Sequence, residues 1–117
     1  MLEELALEDR VVGARLRAVA ERLPDAPFLA FPSKSFSYGA FAELTNRVAN
    51  SFVELGLGKF GKLAIFVRNS PEFVESWFAA ARIGAIYVPI NTEYRGEVLR
   101  YQLDNAEVTH LVIAPEF

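Results

Sequence analysis

Apolar residues recur every three or four positions in four stretches of the chain, which is the spacing of amphipathic helices. The first stretch ends at the proline-rich turn 24–27, and the next two end at Gly56 and Gly84, where a chain can leave a helix. Four helices are therefore predicted. Their predicted inward residues are Val12, Leu16, Val19 and Leu23; Phe41, Leu44, Val48, Phe52 and Leu55; Phe73, Val74, Trp77, Phe78 and Ala81; and Leu99 and Leu103.

Shorter apolar runs between the predicted helices have the length and residue content of strands. Residues 28–31 and 35–38 flank Pro32-Ser33-Lys34 and predict a hairpin. Ser37 and Ser70 stand where the N-terminal caps of the second and third helices are expected. The three remaining runs, predicted to form buried strands, cover residues 62–67, 85–90 and 109–114.

These elements predict an α/β fold. The three strands alternate with two helices, behind an N-terminal helix, hairpin and helix, so parallel β-α-β units with right-handed crossovers are expected. The predicted architecture is a partial three-layer domain, with a mostly parallel sheet (three core strands plus the N-terminal hairpin) flanked by helices. Three strands make a thin sheet whose edges need cover. We therefore expect an unfinished domain that self-associates or needs the rest of its domain.

Composition narrows the function classes. The 117 residues are 52% hydrophobic and 23% charged, which fits one globular domain or part of one. A net charge of −3 gives no basic surface for nucleic acid, and the absence of cysteine excludes disulfides, thiolate catalysis and Cys-based metal sites. Residues 1–10 are acidic without a signal peptide's apolar core, and no apolar run approaches about 18 residues. No membrane span and a cytoplasmic location are expected.

The stretch GLGKFG, residues 56–61, matches the pattern G-x-G-x-x-G of dinucleotide-binding proteins. That pattern binds a pyrophosphate when a strand precedes it and a helix follows it. Here the predicted order is reversed, with a helix before the stretch and a strand after it. We therefore interpret residues 56–61 as a helix C-cap and a connecting loop.

Polar residues follow the predicted strand 62–67. Asn69 and Ser70 stand at its carboxyl end, where ligands of open α/β sheets bind, and the next helix N-terminus would favour an anion there. The alternative is that RNSPEF, residues 68–73, serves for capping alone. A flavodoxin-like signalling receiver would need clustered carboxylates at its strand ends to hold Mg²⁺. The strand ends here are Arg68-Asn69, Asn91-Thr92 and Ala114-Pro115, which argues against that class.

The remaining chemistry-bearing residues are isolated in the sequence. His110 has no second histidine or cysteine to share a metal, so we interpret it as a residue at a strand entry. Trp77 lies within an apolar stripe and is interpreted as core. Glu72 and Glu75 are expected on the polar side of their helix, and no acid–base pair is predicted.

Together, in their order and spacing, these motifs resemble the adenylate-forming enzymes, the acyl-CoA synthetase superfamily. Residues 36–57 (FSYGAFAELTNRVANSFVELGL) are similar to the segment that opens the family. Residues 63–113 match the next stretch, with NSPEF, GAIYVPIN and YQL in register, and residues 9–31 resemble the family's entry helix, turn and first strand. The segment NTEYRGEVLRYQL, residues 91–103, is most similar to the carnitine– and crotonobetaine–CoA ligase-like branch.

The resemblance implies a two-step reaction. ATP and a carboxylic acid give an acyl-adenylate and pyrophosphate, and the thiol of coenzyme A then displaces AMP to form a thioester. ATP, Mg²⁺ and coenzyme A are thus implied for a full-length parent. Residues 1–117 are implied to be the N-terminal part of its AMP-binding domain, ending before the phosphate-binding loop, and none of these cofactors is expected to bind them well.

No catalytic residue of the family falls within residues 1–117. No catalytic residue and no metal ligand are therefore predicted, cofactor-binding residues stay unassigned, and the chain alone is expected to be catalytically silent. An alternative is a stand-alone α/β interaction module, derived from a synthetase, that binds a partner through an uncovered sheet edge.

Two positions depart from the family pattern: Phe60-Gly61 replaces a common Gly-Asp, and Arg95 replaces a common Thr cap.

Overall fold

The computed structural model describes residues 5–117 and confirms the predicted order of helices and strands. The first part of the acidic N-terminal stretch, residues 1–4, lies outside the described residues. The elements are a short 3-10 helix (Leu7–Arg10), α1 (Val12–Arg22), β1 (Pro27–Ala30), β2 (Ser35–Ser37), α2 (Tyr38–Glu54), β3 (Lys62–Phe66), α3 (Pro71–Arg82), β4 (Ile86–Pro89), α4 (Gly96–Ala106) and β5 (His110–Ile113).

Two sheets are formed by the five strands. The core strands make a parallel sheet in the order β4-β3-β5, in which Leu63 of β3 lies opposite Tyr87 on one side and His110 on the other. β1 and β2 form a separate antiparallel hairpin, with Leu29 opposite Phe36. The parallel sheet and the hairpin predicted from the sequence are both confirmed.

β3 is covered on both faces because its side chains alternate between two cores. Leu63 and Ile65 belong to a buried cluster against which α3 packs, and Ala64 and Phe66 belong to a second cluster against which α4 packs. The two helices therefore lie on opposite faces of the sheet. Right-handed crossovers require this when the chain steps from β3 out to β4 and then back across β3 to β5. The helix residues in these contacts include Phe73, Trp77, Leu99 and Leu103.

An aromatic cluster joins the hairpin to α2 and α3. Phe41 lies at its centre with 0% exposure, and its ring meets those of Phe28, Phe36 and Phe78 edge-on at centroid distances of 5.2, 5.6 and 5.3 Å. Edge-on aromatic pairs stabilise beyond the area that they bury. The buried hydroxyl of Thr45 donates to the carbonyl oxygen of Phe41 at 2.7 Å, so it has a partner within the helix.

The predicted helix ends are confirmed by their hydrogen bonds and backbone angles. The hydroxyl of Ser37 accepts from the Ala40 N–H at 3.1 Å and caps α2, which satisfies one of the N–H groups at the helix start. Gly56 and Gly84 follow α2 and α3 with φ angles of 90° and 72°. These angles lie in the left-handed region, where glycine has no Cβ penalty.

Some predicted inward positions on the helices are wrong. The buried line on α2 continues from the aromatic cluster through Thr45 and Ala49, whereas Leu55 is 71% exposed, and Leu23 after α1 is also exposed. On α3 the fully buried residues are small, as at Ala79, and the larger apolar side chains flank them. Small residues lie on the buried side because α2 and α3 pack directly against each other.

Two of the three strands predicted to be buried lie instead at the edges of the sheet. Ile86 of β4 is 44% exposed and Leu111 of β5 is 46% exposed. Their pairing with β3 places both side chains on the face of Ala64, toward α4. α4 leaves this part of the face open, and only β3 has the predicted burial on both faces.

Replacing Phe41 with Ala is expected to lower the free energy of unfolding by about 3–5 kcal/mol, because it leaves a cavity at the centre of the aromatic cluster. Leu55→Ala is the matched control in the same apolar stripe. It is expected to change the free energy by less than about 0.5 kcal/mol, because Leu55 is exposed. Urea unfolding followed by circular dichroism measures both, and equal losses would contradict the central place of Phe41.

Candidate functional site

The carboxyl ends of the three parallel strands meet at one edge of the sheet, here named the carboxyl edge. Arg68-Asn69 follow β3, Asn91-Thr92 follow β4, and Ala114-Pro115 follow β5. Because the three strands are parallel and adjacent, these three strand ends lie side by side. The structure thus brings together the strand-end residues that the sequence singled out.

A crevice opens at the carboxyl edge between β3 and β4. β3 leads into α3 on one face and β4 leads into α4 on the other, and ligands of open α/β sheets bind where neighbouring connections diverge in this way. A second cavity, of about 380 Å³, lies between the ends of β3 and β5. The crevice itself has a volume of about 470 Å³ and is lined by Val67, Arg68, Asn69, Phe73, Ile90, Asn91 and Thr92.

Several polar groups of the carboxyl edge already hold the loops in place. The hydroxyl of Ser70 accepts from the Phe73 N–H at 3.3 Å, which confirms that Ser70 caps α3. The Asn91 side-chain oxygen accepts from the Glu93 N–H at 2.9 Å. Within residues 5–117 the Asn69 side chain makes no hydrogen bond, so it remains available to a ligand in the crevice.

Two arginines flank the ring of Phe117 at the carboxyl edge. The guanidinium carbons of Arg68 and Arg95 lie 5.3 and 5.2 Å from the ring centroid, and Arg68 Nε lies 3.8 Å from the Glu116 carboxylate. The N-termini of α3 and α4 point to the same edge and add positive potential. The stacking of the two arginines on Phe117 was not predicted from the sequence, because the three residues are distant along the chain.

GLGKFG lies at the opposite edge of the sheet. Residues 56–61 connect the end of α2 to the start of β3, and the Phe60 N–H donates to the Gly84 carbonyl at 2.9 Å. A helix precedes the stretch and a strand follows it, so its interpretation as a C-cap and loop is confirmed. No helix N-terminus follows it to receive a phosphate.

His110 also lies at that opposite edge, as the first residue of β5, which confirms its predicted place at a strand entry. Its Nε2 is 2.7 Å from the carbonyl oxygen of Leu55, which can only accept, so Nε2–H is the donor. Nδ1 lies 2.8 Å from the Thr109 hydroxyl oxygen. His110 thus connects the end of α2 to β5. Within residues 5–117 there is no group of three His, Asp or Glu side chains able to bind a metal.

Glu75 is half-buried, contrary to the prediction that it lies with Glu72 on the polar side of the helix. Its side chain is 12% exposed, and its Oε1 lies 4.0 Å from Lys34 Nζ on the hairpin loop. Burial raises the pKa of Glu75, Lys34 lowers it in part, and Glu72 adds to the rise. Glu75 lies four residues before the buried Ala79, a spacing that could have predicted its burial.

The AMP-binding enzyme family has a sequence model that matches residues 16–116, from α1 to the end of the carboxyl edge. This chain belongs to that family. The assignment agrees with the resemblance to adenylate-forming enzymes read from the motifs.

Curated relatives of this family member include the crotonobetaine/carnitine–CoA ligases of Salmonella. The enzyme of Salmonella paratyphi A is 40% identical over 118 residues, and that of Salmonella typhimurium is 39% identical over the same length. Each comparison covers 93% of this chain and 23% of the relative. The AMP-binding family member described here therefore spans about a quarter of the length of these relatives.

Solved structures with the same fold are N-terminal parts of related proteins. The N-terminal subdomain of Klebsiella oxytoca NpsA in complex with anthranilyl-AMSN has a TM-score of 0.83 and 26% identity, covering 88% of this chain and 27% of that one. The inhibitor-bound N-terminal domain of FACL13 from Mycobacterium tuberculosis has a TM-score of 0.84 and 28% identity, covering 88% and 26%. The predicted fold, the first subdomain of an acyl-CoA synthetase-like enzyme, is confirmed.

The two departures from the family pattern have local effects on the backbone. Phe60 takes a φ angle of 65°, which is rare for a residue with a side chain. Arg95 stands at the N-cap of α4 without a side-chain capping bond, and Gly96 after it has a φ angle of 55°. Neither changes the order of elements that this family member shares with its neighbours.

No helix within residues 5–117 has both the length and the apolar character needed to cross a membrane.

Glu75→Gln is expected to stabilise the fold at neutral pH. Because burial raises the folded pKa of Glu75 above its unfolded value, stability is lost as pH rises through the folded pKa. The advantage of the variant is therefore present at pH 7 and vanishes below about pH 4, where the carboxyl is neutral in both states. Thermal unfolding between pH 3 and 8 measures it, with the exposed Glu43→Gln as control. A larger advantage at pH 3 than at pH 7 would contradict the assignment.

Proposed function

We propose that this chain is the first part of the adenylation domain of an ATP-dependent acyl-CoA ligase, with residues 1–117 preceding its phosphate-binding loop. The observation that carries the proposal is the 40% identity to crotonobetaine/carnitine–CoA ligase across 93% of the chain. The likeness to the N-terminal parts of NpsA and FACL13 supports the same placement. The whole ligase would convert a carboxylic acid, ATP and coenzyme A into acyl-CoA, AMP and pyrophosphate in the cytoplasm.

The residues described here do not form a site that fits ATP and Mg²⁺. The glycine-rich stretch 56–61 follows a helix and precedes a strand, so it presents no helix N-terminus to a phosphate. Within residues 5–117 no three carboxylate or histidine side chains converge on a metal position. The chain by itself is therefore proposed to be catalytically silent, and no step of the reaction is assigned to its residues.

The proposed role of these residues is to support a site that other segments complete. β3 is fixed by both of its neighbours and by helices on both faces, so the carboxyl edge has a rigid base. Arg68, Arg95 and the N-termini of α3 and α4 lie at this edge, where their N–H groups can donate to an anionic substrate. A rigid base of this kind is what a precise catalytic site requires.

A chimera tests the proposed function. In the Salmonella crotonobetaine/carnitine–CoA ligase, the matching segment is replaced by residues 16–116 of this chain. Pyrophosphate release by the chimera is then measured with ATP, Mg²⁺, coenzyme A and the substrate of that ligase. The chimera is expected to retain activity within about tenfold, because the exchanged segment is proposed to hold no reacting group. The 117-residue chain alone is expected to release no pyrophosphate above background.

The control for the chimera is the same ligase with this segment deleted, which is expected to be inactive. A chimera that unfolds as cooperatively as the parent ligase but releases no pyrophosphate would contradict the proposed equivalence. Turnover by the 117-residue chain would contradict its proposed catalytic silence.

A second candidate function is a stand-alone interaction module that binds a partner through the open face of the sheet. The observation that favours it is the exposure of Ile86, Leu111 and Ile113, which lie on the α4 face of the two edge strands. Exposed apolar patches of this kind mark contact surfaces. Under either candidate function, the open face of the sheet is expected to pack against another apolar surface.

The 117-residue chain is expected to self-associate and to bind a hydrophobic dye through this open face. Leu111→Lys with Ile113→Lys should weaken self-association by about tenfold or more, because pairing would bury two charges. Val53→Lys changes an exposed apolar residue on α2 and serves as the control. Sedimentation velocity measures the effect. A wild-type monomer that binds no dye would contradict the proposal that the chain is part of a larger domain.

A further inference from the structure

A groove of about 360 Å³ separates α1 from the aromatic residues of the hairpin and its neighbours. One wall is aliphatic and is formed by α1, with Leu16 buried at its base. The other wall is aromatic, where Phe28 stacks on Tyr38 at 4.7 Å between centroids and meets Phe78 at 5.8 Å. This volume lies in the lower part of the range of small-molecule sites, about 300–1,000 Å³.

Two arginines, Arg10 and Arg15, line the groove, and within residues 5–117, the part of the chain that the structure describes, no carboxylate is among the lining residues. The Arg10 Nε–H donates to the carbonyl oxygen of Leu5 at 3.0 Å. Arg15 is half-buried, and its guanidinium has neither a hydrogen bond nor an ion pair within residues 5–117. A partly desolvated cation without a counter-charge, set against apolar walls, is complementary to an anion with an apolar body.

We propose that this groove binds a small monocarboxylate whose apolar body lies between the two walls and whose carboxylate pairs with Arg15. The aliphatic wall of Val12, Leu16 and Val19 would cover one side of the body, and the aromatic wall would cover the other. The guanidinium offers the two parallel N–H donors that a carboxylate accepts best. The groove is lined by the 3-10 helix, α1, the hairpin, the start of α2 and Phe78 of α3. It shares no residue with the crevice at the carboxyl edge, so the proposal does not depend on the proposed function.

Titration of the 117-residue chain with octanoate, benzoate and the neutral probe octanol tests the proposal. Binding is followed by calorimetry and by the ¹⁵N–¹H signals of Arg15 and the groove residues. Octanoate is expected to bind at least about tenfold more tightly than octanol, because only the acid can pair with the guanidinium. If the wild type self-associates, the titration is run in the Leu111→Lys, Ile113→Lys background.

Arg15→Gln is expected to weaken octanoate binding about tenfold or more and to leave octanol binding unchanged. Arg15→Lys keeps the charge but loses the two-pronged geometry, so an intermediate loss is expected. Arg22→Gln removes a charge from the exposed end of the same helix and is expected to have no effect. Circular dichroism confirms that each variant is folded.

Three results would overturn the proposal. Equal affinity for octanoate and octanol would show a groove that accepts any apolar body, and equal losses in Arg15→Gln and Arg22→Gln would show a non-specific charge effect. If Arg15→Gln changes only the oligomeric state and no probe binds, the groove belongs to a contact between two copies of the chain.

Discussion

The fold depends on the burial of one strand from both sides. β3 pairs with β4 and β5 along its two edges, and its side chains alternate between a cluster under α3 and a cluster under α4. A strand in this position cannot carry a polar side chain toward either face without leaving it unpaired. The continuous apolar run at residues 63–66 of β3, which are all buried, is the sequence counterpart of that constraint.

The location of the carboxyl edge follows from the same arrangement. With β3 between its neighbours and the helices on opposite faces, the loops after β3 and β4 must diverge, and the crevice opens where they part. The polar residues Asn69 and Thr92 can stand there because the strands have ended and the backbone has reached solvent. The rigid interior and the polar carboxyl edge are thus two results of one topology. The sheet that supports this edge is left partly open on its α4 face.

The periodicity of the sequence predicted the order and type of the elements, and the residues Ser37, Ser70, Gly56 and Gly84 predicted where helices begin and end. The predictions of buried positions were wrong where burial depends on contacts between residues that are distant in the sequence. A helical stripe identifies a side of α2 but not which of its residues meets α3, so Leu55 was misplaced. Edge position depends on strand order, which no local pattern encodes, and the same holds for Lys34 beside Glu75 and for the arginines that stack on Phe117. The strand-end residues of the candidate site were predictable, and its electrostatics were not.

The central place of β3 has a consequence for the order in which the structure can assemble. Leu63 leaves the ribosome before either of its partners, with Tyr87 following 24 residues later and His110 following 47 residues later. Loop closure is less costly over the shorter separation, so α3 can seal one face of the strand with β4 while the other still faces water. During that interval a nascent chain presents an apolar strand edge to its surroundings, and pairing with β5, the later of the two neighbouring strands, removes it.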